Sequence, residues 1–82
     1  MVTAYVMIKL IAGKDEEVFE RIEKLGKIKQ VVEANATYGA FDLIIEVQFK
    51  TIEELDRFIF EEIRRLPNVT ETSSMIVAKK IV

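Results

Sequence analysis

The segment Thr37-Tyr38-Gly39-Ala40-Phe41-Asp42 separates two runs with the composition of β-strands, Lys29–Ala36 and Leu43–Phe49. It places a glycine, a carboxylate, a hydroxyl and two aromatic rings next to one another. β-Branched and aromatic residues favour strands, whereas a short polar segment that contains glycine favours a turn. The sequence therefore predicts two neighbouring strands whose connecting loop carries the most varied side-chain chemistry of the chain.

The first and last strands are predicted from their alternation. Val2–Ala12 has apolar residues at every even position and mixed residues at the odd positions, which indicates a strand with one wholly buried face. Val69–Val82 is predicted to be a long last strand. One face of this strand carries Thr70, Thr72, Ser74 and Ile76.

Two helices are predicted, one in each half of the chain. Acidic residues at 15–17 suit the N-terminus of the first helix, and Gly26 is predicted to stop it. Thr51 and Glu54 form a capping box for the second helix, which Pro67 ends. The side chains of this helix that are predicted to face the core are Ile52, Leu55, Ile59, Ile63 and Leu66. Phe58 and Phe60 are predicted to lie beside them and to widen this apolar face.

The predicted order β-α-β-β-α-β indicates a ferredoxin-like fold. This fold is an α+β sandwich in which a four-stranded antiparallel sheet carries both helices on one face. The segments account for residues 1–82, so a single domain is predicted, with no helix-turn-helix. Right-handed crossovers leave the other face of the sheet uncovered.

The uncovered sheet face is predicted to be an interface. Half of the residues are apolar, which is more than the thin core of so short a chain can bury. The apolar residues predicted on this face are Tyr5, Met7, Ile11 and Ile44, with Val31 and Ile76 beside them. A patch of this kind marks an interaction surface, so we expect a symmetric homodimer that stacks two sheets. The alternative is that these side chains simply lie on the surface.

The composition excludes several classes of function. The 12 basic and 14 acidic residues form no basic face, so no direct nucleic-acid partner is expected. Cys and His are absent, which removes thiol nucleophiles, the usual zinc ligands and the commonest general base, and no cofactor is expected. No leader and no apolar run of ~20 residues is visible, so we expect a cytoplasmic protein without a membrane partner. Abundant Lys, Glu and Ile are typical of thermophiles.

The loop at residues 37–42 is a candidate ligand site. Gly39 can adopt a positive φ and allow a ligand to approach the backbone closely. Asp42, at the start of a strand, can hold an ammonium group, while free amides around Gly39 and Ala40 can receive a carboxylate. An α-amino acid presents both groups. The alternative is an ordinary β-turn in which the aspartate caps the backbone of its own turn.

Two longer segments together resemble a known family. The first is Thr37-Tyr38-Gly39-Ala40-Phe41-Asp42-Leu43-Ile44-Ile45-Glu46-Val47, and the second is Leu66-Pro67-Asn68-Val69-Thr70-Glu71-Thr72-Ser73-Ser74-Met75-Ile76-Val77. The first is similar to the Gly-aromatic-Asp segment of the ligand-binding domain of Lrp/AsnC (feast/famine) transcriptional regulators. The second is similar to the end of that domain, and the resemblance extends over essentially the whole chain.

The resemblance implies a regulation-of-amino-acid-metabolism (RAM) domain, a dimeric αβ-sandwich that binds an amino-acid effector. It implies further assembly, often into octamers, with effector sites shared by subunits at contacts between dimers. Ligand contacts carried over in this way fall on Tyr38, Gly39, Asp42, Thr72 and Ser74, with Thr37 and Phe41 as further candidates. Co-assembly with full-length relatives, and through it an effect on transcription, is also implied.

The chain departs from the family pattern in three places. Full-length members carry an N-terminal helix-turn-helix, for which the first strand leaves no room here, so the stand-alone form without direct DNA binding is expected. Asn68 replaces the usual glycine of the turn and tolerates a left-handed conformation. Ser74 stands where threonine is common and keeps the hydroxyl.

Other functions fit the same strand order. A dimeric ferredoxin-like monooxygenase is one, but the chain has no histidine and its acidic helix residues indicate solvated faces, so no enzyme is expected. An ACT-like amino-acid-binding domain shares the fold. A purely structural assembly domain would retain the oligomer and lack the ligand.

Overall fold

The computed structural model describes residues 1–82 and has the predicted order of elements. These are β1 (Val2–Leu10), α1 (Asp15–Leu25), β2 (Val31–Ala36), β3 (Leu43–Phe49), α2 (Ile52–Phe58) and β4 (Val69–Ile76). The strands form one antiparallel sheet in the order β2-β3-β1-β4. The ferredoxin-like α+β prediction is therefore confirmed. Neither helix is long and apolar enough to span a lipid bilayer.

One face of the two central strands forms most of the core. The alternation predicted for β1 and β3 is confirmed, because every even residue from Ala4 to Leu10 and every odd residue from Leu43 to Phe49 is buried. Val18, Ile22 and Leu25 of α1 pack against them. All 15 buried residues are apolar, so the core contains no polar side chain that requires a buried partner.

The second helix departs from the prediction of one continuous α-helix. Residues Ile59–Ile63 form a π-helical turn, in which Arg64 N–H donates to the carbonyl of Ile59 at 2.9 Å. Phe58 and Ile63 are buried in the core, whereas Phe60 is 65% exposed beside the Arg64 guanidinium. The prediction that Phe60 widens the core stripe is therefore wrong. It is also wrong for Ile52, which is half-exposed in the first turn.

The register of the sheet corrects the expected composition of the uncovered face. Val31 pairs with Val47, and Ile76 pairs with Ala4, so both lie on the helix-covered side. An irregularity between Val31 and Glu33 changes the phase of alternation in β2, which a strictly periodic pattern cannot predict. Ile11 lies beyond the end of β1. The apolar residues that remain on the uncovered face are Tyr5, Met7, Ile44 and Met75, which we call the open-face patch.

The last strand ends six residues earlier than predicted, at Ile76. Its pairing partner β1 begins at Val2, and the final main-chain hydrogen bond joins Val77 N–H to the carbonyl of Thr3 at 2.9 Å. Without a partner strand the backbone beyond that point has no ladder to continue. Gly26 follows the end of α1 as predicted, although its φ of −60° is right-handed.

The Thr51 cap predicted at the start of α2 is confirmed, although the carboxylate of Glu54 bonds to the residue before the cap rather than to Thr51 itself. Thr51 Oγ1 accepts from Glu54 N–H at 3.2 Å, and a Glu54 carboxylate oxygen accepts from Lys50 N–H at 3.3 Å. Thr51→Ala is expected to lower the free energy of unfolding by about 1 kcal/mol, because it leaves a helix N-terminal amide without its acceptor. Urea denaturation at fixed protein concentration measures this loss. Thr51→Ser keeps the hydroxyl and should stay within a few tenths of a kcal/mol of the parent; an equal loss in both variants would contradict the capping role.

Candidate functional site

Asp42 joins the loop between β2 and β3 to the end of β1 through two hydrogen bonds. Its N–H donates to the carbonyl of Ile8 at 2.9 Å, and its Oδ2 accepts from Leu10 N–H at 2.7 Å. The carboxylate therefore takes the place of the β3 carbonyl that would continue the ladder. A short hydrogen bond to an ionised acceptor is among the stronger ones in proteins. The acid thus caps a strand 32 residues away rather than its own turn, and no protein group donates to its Oδ1.

The rest of the loop is closed by Thr37. Thr37 N–H donates to the carbonyl of Asp42 at 2.9 Å, and its hydroxyl donates to the carbonyl of Phe41 at 2.7 Å. Gly39 adopts a φ of 125°, which confirms the expected positive φ. The N–H groups of residues 38–41 donate to no protein acceptor, and the side chain of Tyr38 is fully exposed. The loop therefore has a rigid base and a free outer edge.

A groove of about 680 Å³ lies where this loop, the end of β1 and the start of α1 meet. That volume is within the range of small-molecule sites. The residues that line it are Lys9, Leu10, Ile11, Ala12, Gly13, Asp15, Phe19, Ala36, Thr37, Tyr38 and Asp42. Three of the sequence candidates, Thr37, Tyr38 and Asp42, are therefore brought together on one wall.

The groove also contains charged residues that the sequence reasoning missed. Lys9 and Asp15 join Asp42, so one ammonium and two carboxylates line a space whose remaining walls are largely apolar. Lys9 is the only charged residue in β1, and that isolation was an available signal. A site with one cation, carboxylates and an apolar wall complements a zwitterion with an apolar side chain. No group of three or more His, Cys, Asp or Glu side chains is arranged to hold a metal ion.

The remaining candidates lie apart from the groove in a single protomer. Gly39 belongs to the same loop but does not line the groove. Thr72 pairs with Ile8, and Ser74 pairs with Val6, which places both hydroxyls on the helix-covered side of the edge strand β4. Thr72 is half-buried and Ser74 is exposed. One chain therefore brings together the loop part of the predicted site and leaves the β4 part separate.

The structure is thus a small α+β domain with a groove large enough for a small molecule. Residues 3–82 match the model of the family described as the Lrp/AsnC ligand binding domain, and the chain belongs to this family.

Similar proteins agree with this assignment. The HTH-type transcriptional regulator FL11 of Pyrococcus horikoshii is 36% identical over 76 residues, which is 93% of this chain and 48% of that protein. The chain spans about half the length of the curated relatives it matches, which are transcriptional regulators. The crystal structure of FFRP-DM1 is 43% identical with a TM-score of 0.79, covering 94% of this chain and 99% of that one. Escherichia coli AsnC is 25% identical with a TM-score of 0.82, covering 99% of this chain and 53% of that one.

Proposed function

We propose that this domain is a sensor that binds a free amino acid and passes its occupancy to an oligomer. The observation that carries the proposal is the geometry of Asp42. One oxygen of its carboxylate is held at 2.7 Å by Leu10 N–H, and the other faces no protein donor at the wall of the groove. A carboxylate fixed on rigid backbone can accept from a ligand ammonium without first being ordered, which lowers the entropic cost of binding.

The other groups around Asp42 complete a receptor for an α-amino acid. Lys9 offers a cation for the ligand carboxylate, and the unpaired N–H groups of the loop offer further donors. Ile11 and Phe19 provide an apolar wall for the ligand side chain. The fully exposed ring of Tyr38 is available to close over the ligand. Gly39 permits the φ of 125° at the loop edge, which a residue with a Cβ would adopt only with strain.

The complete site is proposed to form between protomers. Thr72 and Ser74 lie outside the groove of their own chain, and their hydroxyls are available to a loop from a neighbouring copy. The sheet-stacked homodimer is proposed from the open-face patch, and higher assembly, such as an octamer, brings loops of different dimers together. A site shared by subunits couples ligand occupancy to assembly through linkage.

The domain is proposed to act on transcription without contacting DNA itself. Its 12 basic residues are outnumbered by 14 acidic ones, and the uncovered sheet face carries Glu33, Glu46 and Glu71 against a single strand lysine, Lys9. Such a surface does not attract a phosphate backbone. Its route to DNA is then co-assembly with full-length relatives that carry the HTH segment.

A thermal-shift screen with the twenty amino acids tests the sensor directly. A ligand present at 100 times its Kd is expected to add about 2.7 kcal/mol to the free energy of unfolding. Light scattering on the same samples should report a change in assembly. The matching α-keto acid, which lacks the ammonium, is the control and should have no effect. If no amino acid moves either signal, the domain is a structural assembly unit instead.

A further inference from the structure

The residues after Val77 form a segment without a hydrogen-bond partner in their own chain, which we call the tail (residues 78–82). No main-chain or side-chain group of the tail hydrogen-bonds to the rest of the protein, and the chain bends at Ala78 as it leaves the sheet. Ile81 and Val82 are 90% and 104% exposed. The family match extends through residue 82, so the tail belongs to the domain. Two lysines, Lys79 and Lys80, precede two fully exposed apolar residues.

The uncovered sheet face carries two acidic residues near β2, opposite in charge to the two lysines of the tail. Glu33 and Glu46 are direct partners in the register of β2 and β3 and lie on the same face. Like charges at directly opposed positions destabilise a sheet. Their cross-strand row continues through Tyr5 to Met75, so the acidic pair borders the open-face patch. A cation from outside the chain would relieve the repulsion.

The geometry of a stacked dimer brings these two features together. Sheets that pack face to face lie about 10 Å apart with their strands nearly aligned. A two-fold axis parallel to the strands places the edge strand β4 of one copy over the opposite edge strand β2 of the other. The tail leaves β4 at the level of Thr3, two residues along β1 from the row that contains Glu46. Lys80 lies three residues beyond Val77, a span of about 10 Å when extended, and the long side chains of Lys79 and Lys80 add the reach needed to approach that row across the gap.

We propose that the tail of each protomer crosses to a second copy of this chain and clamps the sheet-stacked dimer. Lys79 and Lys80 lie beside Glu33 and Glu46 of the second copy, and Ile81 and Val82 cover apolar surface at the margin of the patch. This arrangement rests on the sheet-stacked dimer proposed above. Charge complementarity selects the second copy as the partner and selects the two-fold axis parallel to the strands. Each dimer contains two such clamps.

A charge-reversal cycle tests the clamp. Lys79→Glu with Lys80→Glu is expected to raise the dimer dissociation constant about tenfold at low salt, because two symmetry-related clamps change from attraction to repulsion. Glu33→Lys with Glu46→Lys should do the same. The chain that carries all four changes is expected to return to within about threefold of the parent. Sedimentation velocity over a dilution series measures each constant. Lys24→Glu with Lys27→Glu, at exposed positions outside both features, is the matched control and should leave the constant unchanged.

Each outcome decides a separate point. A parent chain that is monomeric throughout the dilution series overturns both the stacked dimer and the clamp. A parent dimer whose constant is unaffected by reversal of the tail charges overturns the clamp and leaves the sensor proposal intact. Two weakened double variants whose combination is weaker still would show that the charges act independently, which also overturns it. Restoration in the fourfold variant supports direct pairing between copies.

Discussion

Ile44→Lys is expected to convert the proposed sheet-stacked dimer into a monomer over the micromolar range. Ile44 pairs with Met7 in the two central strands, at the middle of the open-face patch. In an isolated protomer its side chain is only half-buried, so a lysine can extend its ammonium into water. In the stacked dimer two symmetry-related ammonium groups would be desolvated without partners. We expect the dissociation constant to rise at least 100-fold, which corresponds to about 2.7 kcal/mol.

Sedimentation velocity measures the loss of dimer, and circular dichroism establishes that the variant is folded. Phe60→Lys makes a similar apolar-to-cationic change on the helix layer, where Phe60 is already 65% exposed, and should leave the dimer intact. A folded Ile44→Lys variant that dimerises as tightly as the parent would mean that the copies associate through another surface. In that case the open-face patch would have no role in assembly.

The features that the sequence predicted correctly are those that depend on local periodicity. β3 has the predicted bounds because alternate apolar residues from Leu43 to Phe49 leave no other face to bury. The Thr51 cap was predictable for the same reason, since its hydrogen bond joins residues only three apart. Asn68 adopts the expected left-handed conformation, with a φ of 61°. The strand order follows from the element order and the handedness of crossovers.

The features that were missed depend on registers between segments distant in sequence. The irregularity after Val31 moved that residue to the covered side of the sheet. The groove is missed for the same reason, because Lys9 and Asp15 join the loop only after β1, α1 and β3 have packed. For Asp42, the sequence offered a ligand contact or a cap on its own turn. The structure instead uses one of its oxygens to cap β1, which leaves the other for a ligand.

The second large effect is expected at Asp42, where two substitutions separate these roles. Asp42→Asn retains an oxygen that can accept from Leu10 N–H, so the loop should stay in place. It loses the negative charge, and with it the charge-assisted hydrogen bond to a ligand ammonium, which is worth about 1.5–3 kcal/mol. The affinity for the effector found in the screen is therefore expected to fall about 10- to 100-fold. Isothermal titration calorimetry measures this change directly.

Asp42→Ala removes both contributions. Leu10 is buried, and its N–H would lose its acceptor, so the free energy of unfolding without ligand is expected to fall by about 1–3 kcal/mol in addition to the loss of binding. Asp56→Asn, on the exposed surface of α2, makes the same chemical change away from the groove and should alter neither quantity. If Asp42→Asn binds the effector as tightly as the parent while Asp42→Ala is destabilised, Asp42 is only an anchor for the loop. Asp42→Asn keeps the cap on Leu10 N–H, whereas Asp42→Ala removes it. Weak binding by Asp42→Asn at near-parental stability would therefore show that the Asp42 carboxylate acts on the ligand and not only on the loop.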